Sequence, residues 1–249
     1  MLANTDVGDG RVVLLVHAGI ADRRMWQPQI EHFGDTWRLV VPDLRGFGES
    51  GHSSEPYRHA WDLAELLDAQ GLSGAIVVGA SMGGAASLDL AIERPDLVAG
   101  LVLVGSVYDG FQFTEEDLFD RWRELTAVYE TGDLNATAEM EADIWLAADT
   151  DPNVRHLVEA MIRTSLQYEE LDQADVAVRA SERFGSIRVP TLVLVGDNDR
   201  PDIQRAAKEL DTRIETARVE TVASASHLPS LEQPESFNQL LTEFLHAHT

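Results

Sequence analysis

Gly79-Ala80-Ser81-Met82-Gly83-Gly84 sets a serine among small residues, directly after the apolar run Ala75-Ile76-Val77-Val78 and at the start of a helical pattern. The order is strand, sharp turn, helix. In such a turn the central residue takes strained backbone geometry, and its neighbours must be small because strand and helix pass close together. Ser81 then stands at the tip with its hydroxyl exposed, while the N–H groups after it point into the same space from a helix N-terminus. This is the G-x-S-x-G pattern of a nucleophile elbow. Small-residue loops after buried strands are common, so the flanking segments decide its meaning.

Upstream, Val12-Val13-Leu14-Leu15-Val16 reads as a strand buried on both faces, ending in the loop His17-Ala18-Gly19-Ile20. Met25, Trp26, Ile30 and Phe33 are spaced as on one face of a short helix, with Pro28 tolerable in its first turn. A second buried strand at 37–41 leads into Pro42-Asp43-Leu44-Arg45-Gly46-Phe47-Gly48-Glu49-Ser50-Gly51. Gly46, Gly48 and Gly51 spell G-x-G-x-x-G, but the dinucleotide fingerprint needs its glycines directly between a strand and a helix. Here four residues separate the glycines from the strand, and His52 to Pro56 continue as loop before helical periodicity resumes at 57–70. Asp43 and Arg45 read as residues that tie loops together.

Downstream, the elbow helix runs to about Arg94, and Leu101-Val102-Leu103-Val104 is a further buried strand ending at Gly105-Ser106. Alternating strands and helices imply a parallel sheet built by right-handed crossovers. That rhythm stops at 107–188, where about four helical stretches and no strand can be drawn, rich in aromatic residues such as Phe111, Phe113, Trp122, Tyr129, Trp145 and Tyr168. It resumes with the strand Thr191-Leu192-Val193-Leu194-Val195, the turn Gly196-Asp197-Asn198-Asp199, a helix, a last strand at 217–222, the loop Ser226-His227-Leu228-Pro229 and a closing helix. The fold class is therefore α/β, a mostly parallel central sheet flanked by helices. Residues 1–106 and 189–249 are expected to form the core domain, and 107–188 an all-helical cap.

Composition narrows the function. Among 249 residues, 43 acidic against 19 basic side chains give a formal charge of −24, and Lys208 is the only lysine. That field repels phosphate backbones and anionic headgroups, so neither nucleic acid nor a membrane is expected as a partner. The absence of cysteine excludes disulfides, thiolate metal sites and a cysteine nucleophile. Residues 1–11 show neither a basic leader nor an apolar stretch of signal length, which makes the cytoplasm the expected location. His246 and His248 have no further ligand at metal spacing, and no metal is assigned.

Four loaded segments each lie just beyond the C-terminal end of a strand: 17–20, 81–83, Asp199 and His227. In a parallel sheet those ends share one edge, where ligands bind. At this point the chain resembles the α/β-hydrolase fold superfamily, in its short, helical-capped branch of enol-lactonases, esterases, cofactor-free haloperoxidases and carbon–carbon bond hydrolases. The likeness rests on V-L-L-V-H-A-G from Val13, P-D-L-R-G-F-G-E-S from Pro42, G-A-S-M-G-G from Gly79, P-T-L-V-L-V-G-D-N-D from Pro190 and S-H-L-P-S-L-E-Q-P from Ser226.

The resemblance implies nucleophile, acid and histidine in that chain order, which Ser81, Asp199 and His227 supply; Asp197 and, more remotely, Asp109 compete for the acid role. A serine hydroxyl needs a neighbouring imidazole to take its proton, and a carboxylate fixes the tautomer of that ring. The oxyanion donors implied are the N–H of Met82 and that of Gly19 or Ile20, with Ala18 standing where relatives usually carry glycine, while His17 holds the loop. Trp26, Ser106, Trp145 and Leu228 are the candidate pocket lining.

Relatives have two strands before the one that ends in the histidine loop, and only about ten residues precede it here. At least one edge strand is expected to be absent, leaving an edge open to a second subunit. The expected activity is cofactor-free hydrolysis of a small, largely apolar carboxylic ester or lactone. Carbon–carbon hydrolysis, perhydrolysis or a lyase or cyclase reaction on the same triad, and a ligand receptor of the same fold, are the alternatives.

Overall fold

The computed structural model describes residues 2–51, 56–168 and 180–248. The loop expected at 52–55 and the part of the helical insertion at 169–179 lie outside the described residues. Seven strands form one sheet: β1 (Asn4–Val7), β2 (Val12–Val16), β3 (Arg38–Pro42), β4 (Ala75–Ala80), β5 (Val98–Val104), β6 (Thr191–Gly196) and β7 (Ala217–Val222). The helices are α1 (Gln27–Phe33), α2 (His59–Ala69), α3 (Met82–Glu93), α4 (Glu116–Tyr129), α5 (Leu134–Trp145), α6 (Pro152–Leu166), α7 (Pro201–Arg213), α8 (Pro229–Glu232) and α9 (Pro234–Ala247). Among the described residues no helix is long and apolar enough to cross a membrane.

The sheet order is β1-β3-β2-β4-β5-β6-β7, parallel throughout except for β1, which runs antiparallel to β3 with Asn4 opposite Pro42. Of the two strands that relatives carry before β2, one is present here, β1. Its Asn-Thr-Asp-Val carries no apolar alternation, and pairing with β3, not burial of side chains, makes it a strand. β2 lies between β3 and β4, so the chain leaves β2 in one direction and returns on its other side. That is a topological switch point, and the crevice beyond the strand ends there is where open α/β sheets bind ligands.

The core forms two layers because successive strand residues face opposite sides. Leu14, Val16, Val77, Leu101 and Leu103 meet α2, α3 and α7 on one face; Val13, Leu15, Val78, Val102 and Val104 meet α1 and α9 on the other. Between β5 and β6 the described chain contains helices and no strand. α5 and α6 bury Ala138, Ala142, Val158, Met161 and Ile162 into the second layer.

Candidate active site

Val16 of β2 pairs with Gly79 of β4, and Ala80 with Val104 of β5, so the segments that follow these strands emerge side by side. Ser81 occupies the turn from β4 to α3 at φ 49° and ψ −114°. Only Ser81 and Ser224 have positive φ among the described non-glycine residues, and a strained residue of this kind persists when its surroundings hold it there. The hold is close packing of α3 on the sheet. A side chain on Gly83 would overlap the carbonyls of Val16 and His17, and one on Gly84 would overlap the Ser106 hydroxyl. Ser87 Oγ donates to the Gly83 carbonyl at 2.7 Å and pins the first turn.

His227 follows β7 and Asp199 follows β6; both are buried. His227 Nδ1 lies 3.2 and 3.1 Å from the two carboxylate oxygens of Asp199, and Nε2 lies 2.9 Å from Ser81 Oγ. With Nδ1–H donating to the carboxylate, Nε2 is the free acceptor for the serine proton. Asp199 is held in turn: its Oδ1 accepts the Arg200 N–H at 2.8 Å, and Gln204 Nε2 donates to the Asp199 carbonyl at 2.8 Å. Of the three carboxylates weighed from the sequence, Asp199 is the one beside the ring. Asp197 is exposed, and Asp109 lines a cavity.

The loop after β2 is closed by the Ala21 N–H donating to the Ala18 carbonyl at 3.1 Å, which leaves Gly19 and Ile20 at the corners of the turn. Among the described residues neither their N–H groups nor that of Met82 meets an acceptor, and a methyl placed on Gly19 would lie 3.5 Å from Met82 Sδ. The unused donors of the loop and of the helix N-terminus therefore flank one space beside Ser81. His17 braces the loop: its Nδ1 lies 2.8 Å from the Ala18 carbonyl, and its Nε2 accepts the Leu44 N–H at 2.8 Å. These partners require the neutral ring, and burial holds its pKa down at about 4.

Two cavities adjoin the site. One of about 380 Å³ is lined by Ser81, Met82, Val107, Phe113, Trp122 and Trp145, among others; the second, about 390 Å³, by Gly19, Phe47, Leu125, Tyr129, Glu141 and Tyr168, among others. Of the four candidate lining residues, Trp145 lines the first. Trp26, Ser106 and Leu228 do not line either. Trp26 is fully buried with its ring 6.2 Å from that of Phe237, Leu228 is fully buried in the same core layer, and Ser106 Oγ lies under the elbow, 3.3 Å from the carbonyls of Gly79 and Val104.

Sequence reading missed Glu232 and Glu141. Glu232 Oε2 accepts the N–H groups of Ser226 and Leu228 at 2.9 and 3.0 Å, bracketing His227, while its Oε1 accepts Thr150 Oγ1 at 3.1 Å. It closes the single turn α8, four residues beyond the N-cap Leu228, and from there its carboxylate reaches back to the amides at the entry of that turn. Glu141 shares one helix face with Trp145, four residues on, which was the signal available for it.

Comparison with known proteins bears on the fold and the family. The sequence profile of a family described as alpha/beta hydrolase fold matches residues 11–234. The chain is similar to the 2-hydroxy-6-oxo-2,4-heptadienoate hydrolase of Pseudomonas putida, 28% identical over 257 residues covering 97% of this chain and 91% of the relative. It is 26% identical to 3-oxoadipate enol-lactonase 1 of Acinetobacter baylyi, over 90% of this chain and 84% of that protein. Among solved structures, a thermophilic esterase from Thermogutta terrifontis superposes with a TM-score of 0.80 at 31% identity, covering 100% of this chain and 94% of the esterase.

Proposed function

Because the chain belongs to the α/β-hydrolase fold family, we propose that it is a serine hydrolase cleaving a small, largely apolar carboxylic ester or lactone through an acyl-enzyme on Ser81. The observation that carries this reading is the unbroken line from Ser81 Oγ through the His227 ring to the Asp199 carboxylate. Ser81 Oγ attacks the carbonyl carbon as its proton passes to His227 Nε2, and Asp199 stabilises the imidazolium. The oxyanion takes hydrogen bonds from Met82 N–H and from Gly19 or Ile20 N–H, each donor contributing about 2.7–4 kcal/mol to the transition state. Collapse breaks the bond to the alkoxy oxygen, which leaves with the proton from His227; in a lactone that oxygen remains tethered. Water then attacks the acyl carbon, gives its proton to His227, and Ser81 departs with that proton. No cofactor takes part, and of the stretch 107–188 the described residues serve as a cap over the reacting carbonyl.

Carbon–carbon bond hydrolysis by the same triad is the second reading, favoured by likeness to the heptadienoate hydrolase along nearly the whole chain. Against it, the substrate in that relative's name is a carboxylate, and neither cavity beside Ser81 is lined by an arginine or lysine among the described residues. The deciding experiment is turnover of p-nitrophenyl esters and simple lactones by the wild type beside Ser81→Ala, Asp199→Asn and His227→Ala. The reading requires turnover that all three substitutions abolish. A receptor of the same fold would turn over nothing and would react slowly, if at all, with a fluorophosphonate.

A further inference from the structure

The two cavities lie to either side of the oxyanion position. Met82 lines the first and Gly19 the second, and a methyl built on Gly19 would come within 3.5 Å of Met82 Sδ, so the unused N–H groups of both residues flank a narrow space between them. A carbonyl bound there directs one substituent to either side, so both cavities lie within reach of a substrate. Their walls are largely apolar, and the charged side chains in them have a single sign: Asp89 and Asp109 in the first, Glu141 in the second. Arg58, on the far side of Asp89, is bonded to it at 3.0 Å. The other arginines of neighbouring loops are spent on carboxylates: Arg23 on Asp43 and Glu49, Arg45 on Asp62, and Arg200 on Glu115 and Asp117.

Glu141 is the exceptional member of this set. On α5 it stands one turn before Trp145, the residue stacked on His227, so helix periodicity turns both toward the reacting centre. Among the described residues no hydrogen bond or ion pair reaches its carboxylate. The other titratable groups lining its cavity are the phenols Tyr129, from α4, and Tyr168, after α6. Burial alone pushes the Glu141 carboxyl up to about 7. A carboxylate kept in such a place without a partner is costly to the fold, which fits a group whose partner arrives with the ligand.

We propose that Glu141 is a specificity determinant that receives a cationic or hydrogen-bond-donating group of the substrate, of the primary-ammonium class, in the cavity beside Gly19. Esters or lactones carrying such a group are selected, and those carrying a carboxylate are rejected. This rests on the hydrolase reading above.

The test uses two ester series at pH 8. In one, p-nitrophenyl heptanoate, 6-aminohexanoate and mono-adipate place the charge on the acyl tail. In the other, butyrate esters of hexanol, 6-aminohexanol and 6-hydroxyhexanoate place it on the alcohol. In at least one series the ammonium ester is expected to exceed the neutral one in kcat/KM by about tenfold or more, with the carboxylate ester below it by a similar factor, as for a charge-assisted hydrogen bond.

Glu141→Gln is expected to bring the ammonium-to-neutral ratio to within about twofold, and Glu141→Lys to reverse the order. Without any substitution, the wild-type ratio should fall between pH 8 and pH 6 as Glu141 takes up its proton; any effect of His227 on rate cancels in the ratio. A Glu141→Gln variant that retains the wild-type ratio, or a wild type that prefers the carboxylate ester, overturns the proposal. If no ester of either series is turned over, the hydrolase reading fails by itself. The claim for Glu141 is then decided by calorimetric binding of 6-aminohexanamide against hexanamide: tighter binding of the amine that Glu141→Gln removes upholds it, and equal affinities overturn it.

Discussion

Trp145 holds His227 twice: its indole stacks on the imidazole with ring centroids 4.4 Å apart at 30°, and its carbonyl accepts the His227 N–H at 3.3 Å. The last turn of α5 is thereby fastened to the ring that must take and return a proton. Trp145→Ala removes the stack while the backbone bond stays. Aromatic stacking of this kind contributes about 0.5–1.5 kcal/mol, so kcat on a p-nitrophenyl ester is expected to fall by up to about tenfold. Trp145→Phe restores most of the loss. A purely structural role would lower the melting temperature of both variants and leave kcat per folded molecule unchanged.

His17 makes stability sensitive to acid. The unfolded chain binds a proton on this ring near the usual 6.5, whereas the buried ring, donating to Ala18 and accepting from Leu44, holds off protonation until about 4. Its contribution is therefore complete above pH 6.5 and is lost as pH falls towards 4, on the order of 3 kcal/mol across that window. Urea denaturation of the wild type at pH 7 and pH 4.5 measures this. His17→Ala is expected to flatten that stretch of the curve while lowering stability at pH 7 by about 2–4 kcal/mol, since a buried amide and a buried carbonyl lose their partner.

Glu141 acts in the opposite sense. Its folded pKa of about 7 lies above the usual 4.5, so the unfolded chain ionises first and stability declines as pH rises from 4.5 to 7. Glu141→Gln is expected to stabilise the free protein at pH 8 by up to about 3 kcal/mol and to change little at pH 4.5. Chemical denaturation at the two pH values separates these outcomes. A site residue that costs the fold stability is the trade that ligand-binding groups commonly make.

The elbow tolerates no side chain at Gly83. A methyl there meets the backbone carbonyls of Val16 and His17, which cannot rotate away, whereas one on Gly185 meets nothing within 4 Å. Gly83→Ala is expected to lose about 1–3 kcal/mol or more and to displace Met82 with it, while Gly185→Ala stays within about 0.5 kcal/mol of the wild type. Thermal melts of the pair, with esterase activity of whatever folds, give the comparison.

What could be read in the sequence follows from what sequence patterns encode. Continuous apolar runs announced β2 to β6. Because parallel strands end at one edge, Ser81, Asp199 and His227 could be assigned to a common site before any contact was known. Asp199 over Asp197 needed the resemblance, since both stand in the same turn and only the folded loop shows which carboxylate turns inward. Trp26, Ser106 and Leu228 line neither cavity because their side chains turn inward, Trp26 and Leu228 into the core layer with Phe237 and Ser106 under the elbow, and sequence spacing near a strand end does not fix that direction. For Glu141 the sequence offered only its helix face shared with Trp145; that its carboxylate meets no partner among the described residues is set by how α4 and α6 pack around α5, which no local pattern carries.

The most direct measurement is intact-protein and peptide mass spectrometry after treatment with a fluorophosphonate. The account predicts a single adduct, on the peptide carrying Ser81, absent from Ser81→Ala and formed about a thousandfold more slowly or worse by His227→Ala. An unmodified wild type, or an adduct that maps to another serine, would contradict it.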